Sequence, residues 1–136
     1  MKSLLTAVVL LIILSGCKKF IEQQKENYVL SAMTDGQWII TKFVNAGDTI
    51  TNHFSPYSFQ FNRDYTVDAI KQNVIENKGV WEGNPNTMNI MASFPNAASP
   101  VSLINGTWHI DQNSLTYVIA SQSGTNGQKN LRLDKK

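Results

Sequence analysis

Polarity along the chain changes its rhythm twice. Leu4 to Leu14 is an apolar run interrupted only by Thr6 and Ala7. From Phe20 to Met33 the residues favour a helix, with Ile21, Tyr28 and Ala32 on one side, and Thr34-Asp35-Gly36 supplies the turn that ends it. Beyond Gly36, short runs rich in Val, Ile, Thr, Tyr, Phe and Trp are separated by Asn, Gly, Asp and Pro. Such spacing predicts strands.

Eight strands are expected: Gln37–Val44, Tyr57–Phe61, Tyr65–Ile70, Gly79–Glu82, Thr87–Phe94, Leu103–Ile110, Ser114–Ala120 and Lys129–Leu133. Short polar turns, among them Asn62-Arg63-Asp64 and Gly83-Asn84-Pro85-Asn86, join most of them. No helical pattern separates them, so the series reads as an all-β antiparallel meander. Eight strands in up-and-down order can close into a barrel and leave no open edge.

The three tryptophans, Trp38, Trp81 and Trp108, each stand two residues after a glycine. The period of two puts Trp38 with Ile40, Phe59 with Phe61 and Trp108 with Ile110 on one face of the sheet. A glycine two residues before a Trp shares its face, and is expected to make room for the ring or to let the strand bend at a barrel end.

The start of the chain reads as an address. Eleven apolar residues are too few for a spanning helix of about 20 residues, but they suit the apolar region of an export signal. The run ends in Leu14-Ser15-Gly16-Cys17, which resembles the lipobox of bacterial lipoproteins. The resemblance implies cleavage before Cys17 and acylation there with diacylglycerol and a further chain such as palmitate. Cys17 is the only cysteine, so no disulfide explains it. Two or three acyl chains hold a protein on a bilayer where one would come off. The division expected is a signal peptide over 1–16, a lipidated tether with a short helix over 17–35, and one barrel domain over 36–136. Lys18 follows Cys17 where, in well-studied systems, Asp signals inner-membrane retention. The expected location is the cell envelope, on the outer membrane facing the periplasm.

Gly36-Gln37-Trp38 after a short helix, followed by about eight antiparallel strands, resembles the lipocalin superfamily, and in style the short lipocalin-like domains of bacterial lipoproteins. Phe59 to Val67, "FQFNRDYTV", is similar to their second hairpin. The resemblance implies a barrel that can carry a small apolar ligand. The chain lacks a full lipocalin's length, its long C-terminal helix and its disulfide. Two readings of Trp38, Phe59, Phe61, Trp81, Trp108 and Tyr117 stay open: the lining of an apolar pocket, or plain core. Small eight-stranded barrels are either filled or hold one ligand.

Charge and chemistry narrow the function by exclusion. The formal charge of +2 is small and the basic residues form no stripe, so nucleic acid is not an expected partner. The expected partners are the membrane through Cys17, and a small apolar ligand or an envelope protein. His53 and His109 lack metal spacing, and no cofactor motif is present. Asp64, Asp68, Glu76, Glu82 and Asp111 read as turn and surface acids. No nucleophile elbow or phosphate-binding loop occurs, so the chain is not expected to be an enzyme. Asp48-Thr49-Ile50 matches an acceptor pattern of some bacterial O-glycosylation systems, which makes Thr49 a candidate.

Overall fold

The computed structural model describes the backbone from Lys2 to Lys136 and the side chains from Lys18 onward. The side chains of the apolar leader and of the lipobox, Cys17 included, lie outside the described residues. One helix, α1 (Lys2–Thr34), precedes nine strands. They are β1 (Trp38–Asn45), β2 (Asp48–Thr49), β3 (Tyr57–Phe61), β4 (Thr66–Lys71), β5 (Val74–Asn84), β6 (Asn89–Ser93), β7 (Gly106–Asn113), β8 (Tyr117–Gly124) and β9 (Gly127–Lys135). Two 3-10 turns, Thr51–Phe54 and Val101–Ile104, lie in the longer connections.

Eight of these strands form a closed, up-and-down antiparallel barrel, the architecture the sequence pattern predicts. Each strand from β3 to β9 pairs with the next, and β9 pairs back onto β1 from Trp38↔Lys135 to Asn45↔Lys129. The two-residue β2 merely extends the outer end of β1. The remaining seam is thin, because β1 meets β3 at Trp38↔Phe59 alone. The first 3-10 turn covers the gap above it, with Phe54 buried and the Thr51 hydroxyl accepting from the Phe43 amide at 2.9 Å.

Alternation builds the core. Tyr57, Phe59 and Phe61 of β3, Val67 and Ala69 of β4, Ile90 and Ala92 of β6, Val118 and Ala120 of β8, and Leu131 and Leu133 of β9 all point inward at a spacing of two. β1 breaks the rhythm with a bulge between Ile40 and Lys42, which returns Phe43 to the inner face beside Trp38 and Ile40.

The differences from expectation are local. β5 starts five residues earlier than Gly79, since Val74–Lys78 pair with β4 although both faces are largely exposed there. Leu103 and Ile104 belong to the second 3-10 turn, so β7 starts at Gly106 instead of Leu103. The helix stripe is also offset. Ile21 and Tyr28 are more than half exposed, while Met33, supported by Val29 and Leu30, packs on the barrel. Among the described residues no helix is long and apolar enough to cross a membrane.

Candidate functional site

The two ends of the barrel are closed in related ways. At one end α1 stops and Gly36 takes a φ of +77°, which turns the chain into β1. Two residues later the Trp38 ring swings under the barrel, and its Nε1–H donates to the Met33 carbonyl at 2.9 Å. That carbonyl is in the last turn of α1, where no later amide of the helix can reach it. At the other end the second 3-10 turn stops, Gly106 takes a φ of +115°, and Trp108 Nε1–H donates to the Ile104 carbonyl at 2.7 Å. Helix end, left-handed glycine, any residue, tryptophan: the same device is used twice.

The glycines of these two motifs therefore do not make room for the rings, the first of the two roles expected of them; they turn the backbone, the second. A Cβ on Gly36 would meet nothing within 4 Å, and one on Gly106 would meet the Gln122 side chain at 2.5 Å. Their requirement is the positive φ, which glycine adopts without strain. Gly79, before Trp81, is the opposite case. It sits within β5, and a Cβ there would overlap the Ser93 carbonyl oxygen and lie 2.9 Å from Phe94 Cδ1. Trp81 in turn donates to the Asn62 carbonyl at 3.0 Å, fastening the β3–β4 turn.

Between these closures the interior is occupied by rings. Trp38, Trp81, Trp108, Phe43, Phe54 and Phe94 are all essentially sealed from solvent. Phe43 stacks on Phe54 at 4.7 Å and meets the edge of Trp108 at 6.0 Å; Phe61 meets Trp81 at 5.3 Å. Aromatic rings of this kind bury about 150–250 Å² each, so a few of them fill a small barrel. Of the six candidate lining residues, Trp38, Phe59, Phe61, Trp81 and Trp108 point inward. Tyr117 does not. Val118 and Ala120 take the inner positions of β8, and Tyr117 lies outside with the Arg132 guanidinium 4.7 Å from its ring.

β9 supplies a cation to each closure. Lys135 Nζ lies 5.2 Å from the Trp38 ring, and Lys129 Nζ lies 5.8 Å from that of Trp108. Lys129 also donates to the Leu103 carbonyl at 3.0 Å, and Gln122 donates to the Asn105 carbonyl at 3.2 Å. The Leu103, Ile104 and Asn105 carbonyls at the end of the second 3-10 turn thus each accept from a side chain. Burial lowers the Lys129 ammonium below the ordinary lysine range.

The concave surface lies at the α1 end, where the mouth of the barrel meets the helix and the inward-facing Ile90 and Val118 reach its rim. A groove of about 540 Å³ runs between α1 and the rim. Phe20, Ile21, Tyr28 and Val29 form its helical wall, and Met88, Ile90, Ile110 and Val118 its barrel wall, with Trp38 at its base. Its surface is almost wholly apolar. A second, more polar groove of about 460 Å³ flanks the other side of α1, between Glu26, Leu30, Tyr65 and Val80. Of the six rings that residue spacing singles out, Trp38 alone lines this groove; the rest of its wall is not legible in the sequence because β6, β7 and α1 meet only in space.

Titratable groups are dispersed. Among the described residues no three His, Cys, Asp or Glu side chains come together as a metal site. His53 is exposed on the first 3-10 turn, and His109 faces out of β7 with Nδ1 3.3 Å from Asn89 Oδ1. Asp68 departs from the turn-acid expectation: it is nearly buried on β4, held by Lys78 at 3.1 Å and Asn62 at 3.2 Å. The Tyr57 hydroxyl donates to Glu76 at 2.5 Å, and burial, followed by this carboxylate, pushes its pKa up to about 12. Thr49 is exposed on β2, at the far end from α1.

No protein-family model matches the chain, and no curated protein does. Among solved structures it is similar to the crystal structure of a DUF4847 family protein from Bacteroides vulgatus ATCC 8482. The TM-score is 0.58 at 12% sequence identity, over 79% of this chain and 97% of that one. At that identity the likeness is one of fold: both chains are barrels of the same build.

Proposed function

We propose that this chain is a lipid-anchored protein of a bacterial envelope, held through Cys17, whose barrel binds a small apolar molecule in the groove beneath α1. The reading is of a binding protein and not of an enzyme. One observation carries it. The rings occupy most of the barrel interior, while a large apolar concavity opens to solvent at the barrel mouth, between α1 and the inward-facing Trp38, Ile90 and Val118. Apolar ligands are held by desolvation against such surfaces, with a few polar groups fixing orientation. Here Gln24, Asn89 and Asn113 are among the residues that line the groove and supply that orientation.

Trp38 at the base of the groove makes binding measurable. Titrating the anchor-free protein with fatty acids should shift Trp emission, and Tyr28→Ala should weaken the response without unfolding the barrel. Native mass spectra repeatedly free of copurified small molecules, together with constant emission across a lipid panel, would refute the ligand reading. The filled interior favours a second reading in that event, a structural or protein-interaction lipoprotein. Anchoring is separately testable: Cys17→Ser should abolish labelling by a fatty-acid probe, and whole-cell protease shaving should spare a domain that faces the periplasm.

A further inference from the structure

Among the described residues, five of the nine large exposed apolar side chains gather around the groove, while Tyr65, Val74, Ile75 and Val80 lie elsewhere. Phe20, Ile21, Tyr28 and Met88 all border the groove, and Leu115 stands in the β7–β8 turn next to Ser114, which also lines it. Phe20 is 62% exposed and Tyr28 55%, high values for rings with a barrel close by. In the sequence Cys17 stands three residues before Phe20 and four before Ile21. At 1.5 Å per residue that is a leash of roughly 5 Å. Lys18 and Lys19 follow the anchor directly and Lys25 stands at the groove, whereas Glu26 borders the opposite groove.

We infer that the α1 end of the barrel is a membrane-docking face. The protein lies with the groove against the bilayer that holds its own anchor, and phospholipid acyl chains are the occupants of the groove. This rests on the anchoring proposed above. The alternative posture is a stalk, with α1 upright and the barrel held away from the surface. A stalk would leave Phe20, Ile21 and Tyr28 in water, together with Met88 and Leu115. Docking removes all five from water at once and sets the lysines at the headgroups, where cations meet anionic lipid. Exposed apolar patches edged by polar residues commonly mark such surfaces.

The test uses the lipidated mature protein in vesicles of brominated phosphatidylcholine and phosphatidylglycerol, with added tryptophans as depth reporters. Leu115→Trp places a reporter on the barrel at the docking face, Tyr28→Trp one on the helix, and Val74→Trp one at the start of β5, at the far end. Emission is read as the difference from wild type. The expected result is strong quenching at positions 28 and 115 and none at 74. Quenching at 28 alone would mean a stalk and would overturn docking, as would equal quenching at 74 and 115. If neither barrel reporter is quenched but soluble brominated fatty acid quenches Trp38, docking fails while the small-ligand reading stands. The mass of the purified mature chain, which reports acylation of Cys17, reads the anchor itself independently.

Discussion

The Trp38 indole donates to the Met33 carbonyl at 2.9 Å, so one ring both closes the barrel and ends the helix that lies beneath it. The bond joins residues five apart in sequence, yet it sets where the whole of α1 sits. Because Trp38 also forms the base of the groove, the geometry of that groove depends on it.

Trp38→Phe should therefore separate two roles. The ring volume is largely kept, but the Met33 carbonyl loses its donor, at a cost of about 1–3 kcal/mol. Trp38→Ala also leaves a void and should cost roughly 3–5 kcal/mol. Urea melts give both values. Hydrogen exchange should in addition show the last turn of α1 loosened in Trp38→Phe while the β8–β9 pairing stays protected.

The three glycines should respond differently to the same substitution. Gly79→Ala should be the most damaging, because the new methyl meets the Ser93 carbonyl oxygen, a backbone atom that cannot swing aside. Gly36→Ala has open space and only its φ of +77° to sustain, at about 1–2 kcal/mol. Gly106→Ala adds to a similar strain a contact with the flexible end of Gln122. Thermal melts that rank Gly36→Ala below Gly79→Ala would contradict these assignments.

Tyr57 should make stability fall at high pH. Its folded pKa of about 12 lies above the ordinary tyrosine value of 10.0, so the folded state favours the protonated phenol. The contribution is whole below pH 10 and is lost between about pH 10 and 12, as the unfolded chain ionises first. Absorbance titration should show one tyrosine ionising late, and Tyr57→Phe should remove that step and flatten stability across the window.

Asp134 should act at the acid end. Hydrogen bonds from Arg132 at 2.8 and 2.9 Å, the larger cause, and from Thr41 hold its carboxyl below the usual aspartate range. The depressed folded pKa means that its contribution is present above the unfolded value and disappears as pH falls through the folded one. Asp134→Asn should cost about 0.2–1 kcal/mol at neutral pH, as partly exposed pairs do, and match wild type in strong acid. Urea melts at pH 7 and pH 2 compare the two conditions.

By itself the sequence determined the barrel. Eight apolar-polar alternations separated by polar turns leave an antiparallel meander few other forms, because burying one face of each strand fixes inside and outside for all of them. It also placed Trp38, Phe59, Phe61, Trp81 and Trp108 on the inner face, since a period of two is local information. Tyr117 escaped that logic: its parity follows the register of β8 against β9, where Tyr117↔Asp134 puts it on the outer surface.

Tertiary structure decided everything that depends on distant segments meeting. The start of β5 is polar and reads as loop, and only pairing with β4 makes it a strand. The bulge at Thr41 that brings Phe43 inward arises from the match of β1 to β9, about ninety residues away. The roles of the glycines divide for the same reason. A positive φ is a property of the turn itself, while the space denied at Gly79 belongs to Ser93 and Phe94 on the neighbouring strand and the residue after it. The groove is the extreme case: its walls come from α1, the β5–β6 turn, β7 and β8, and no stretch of the chain carries its pattern, because a concavity exists only between elements that packing has brought together.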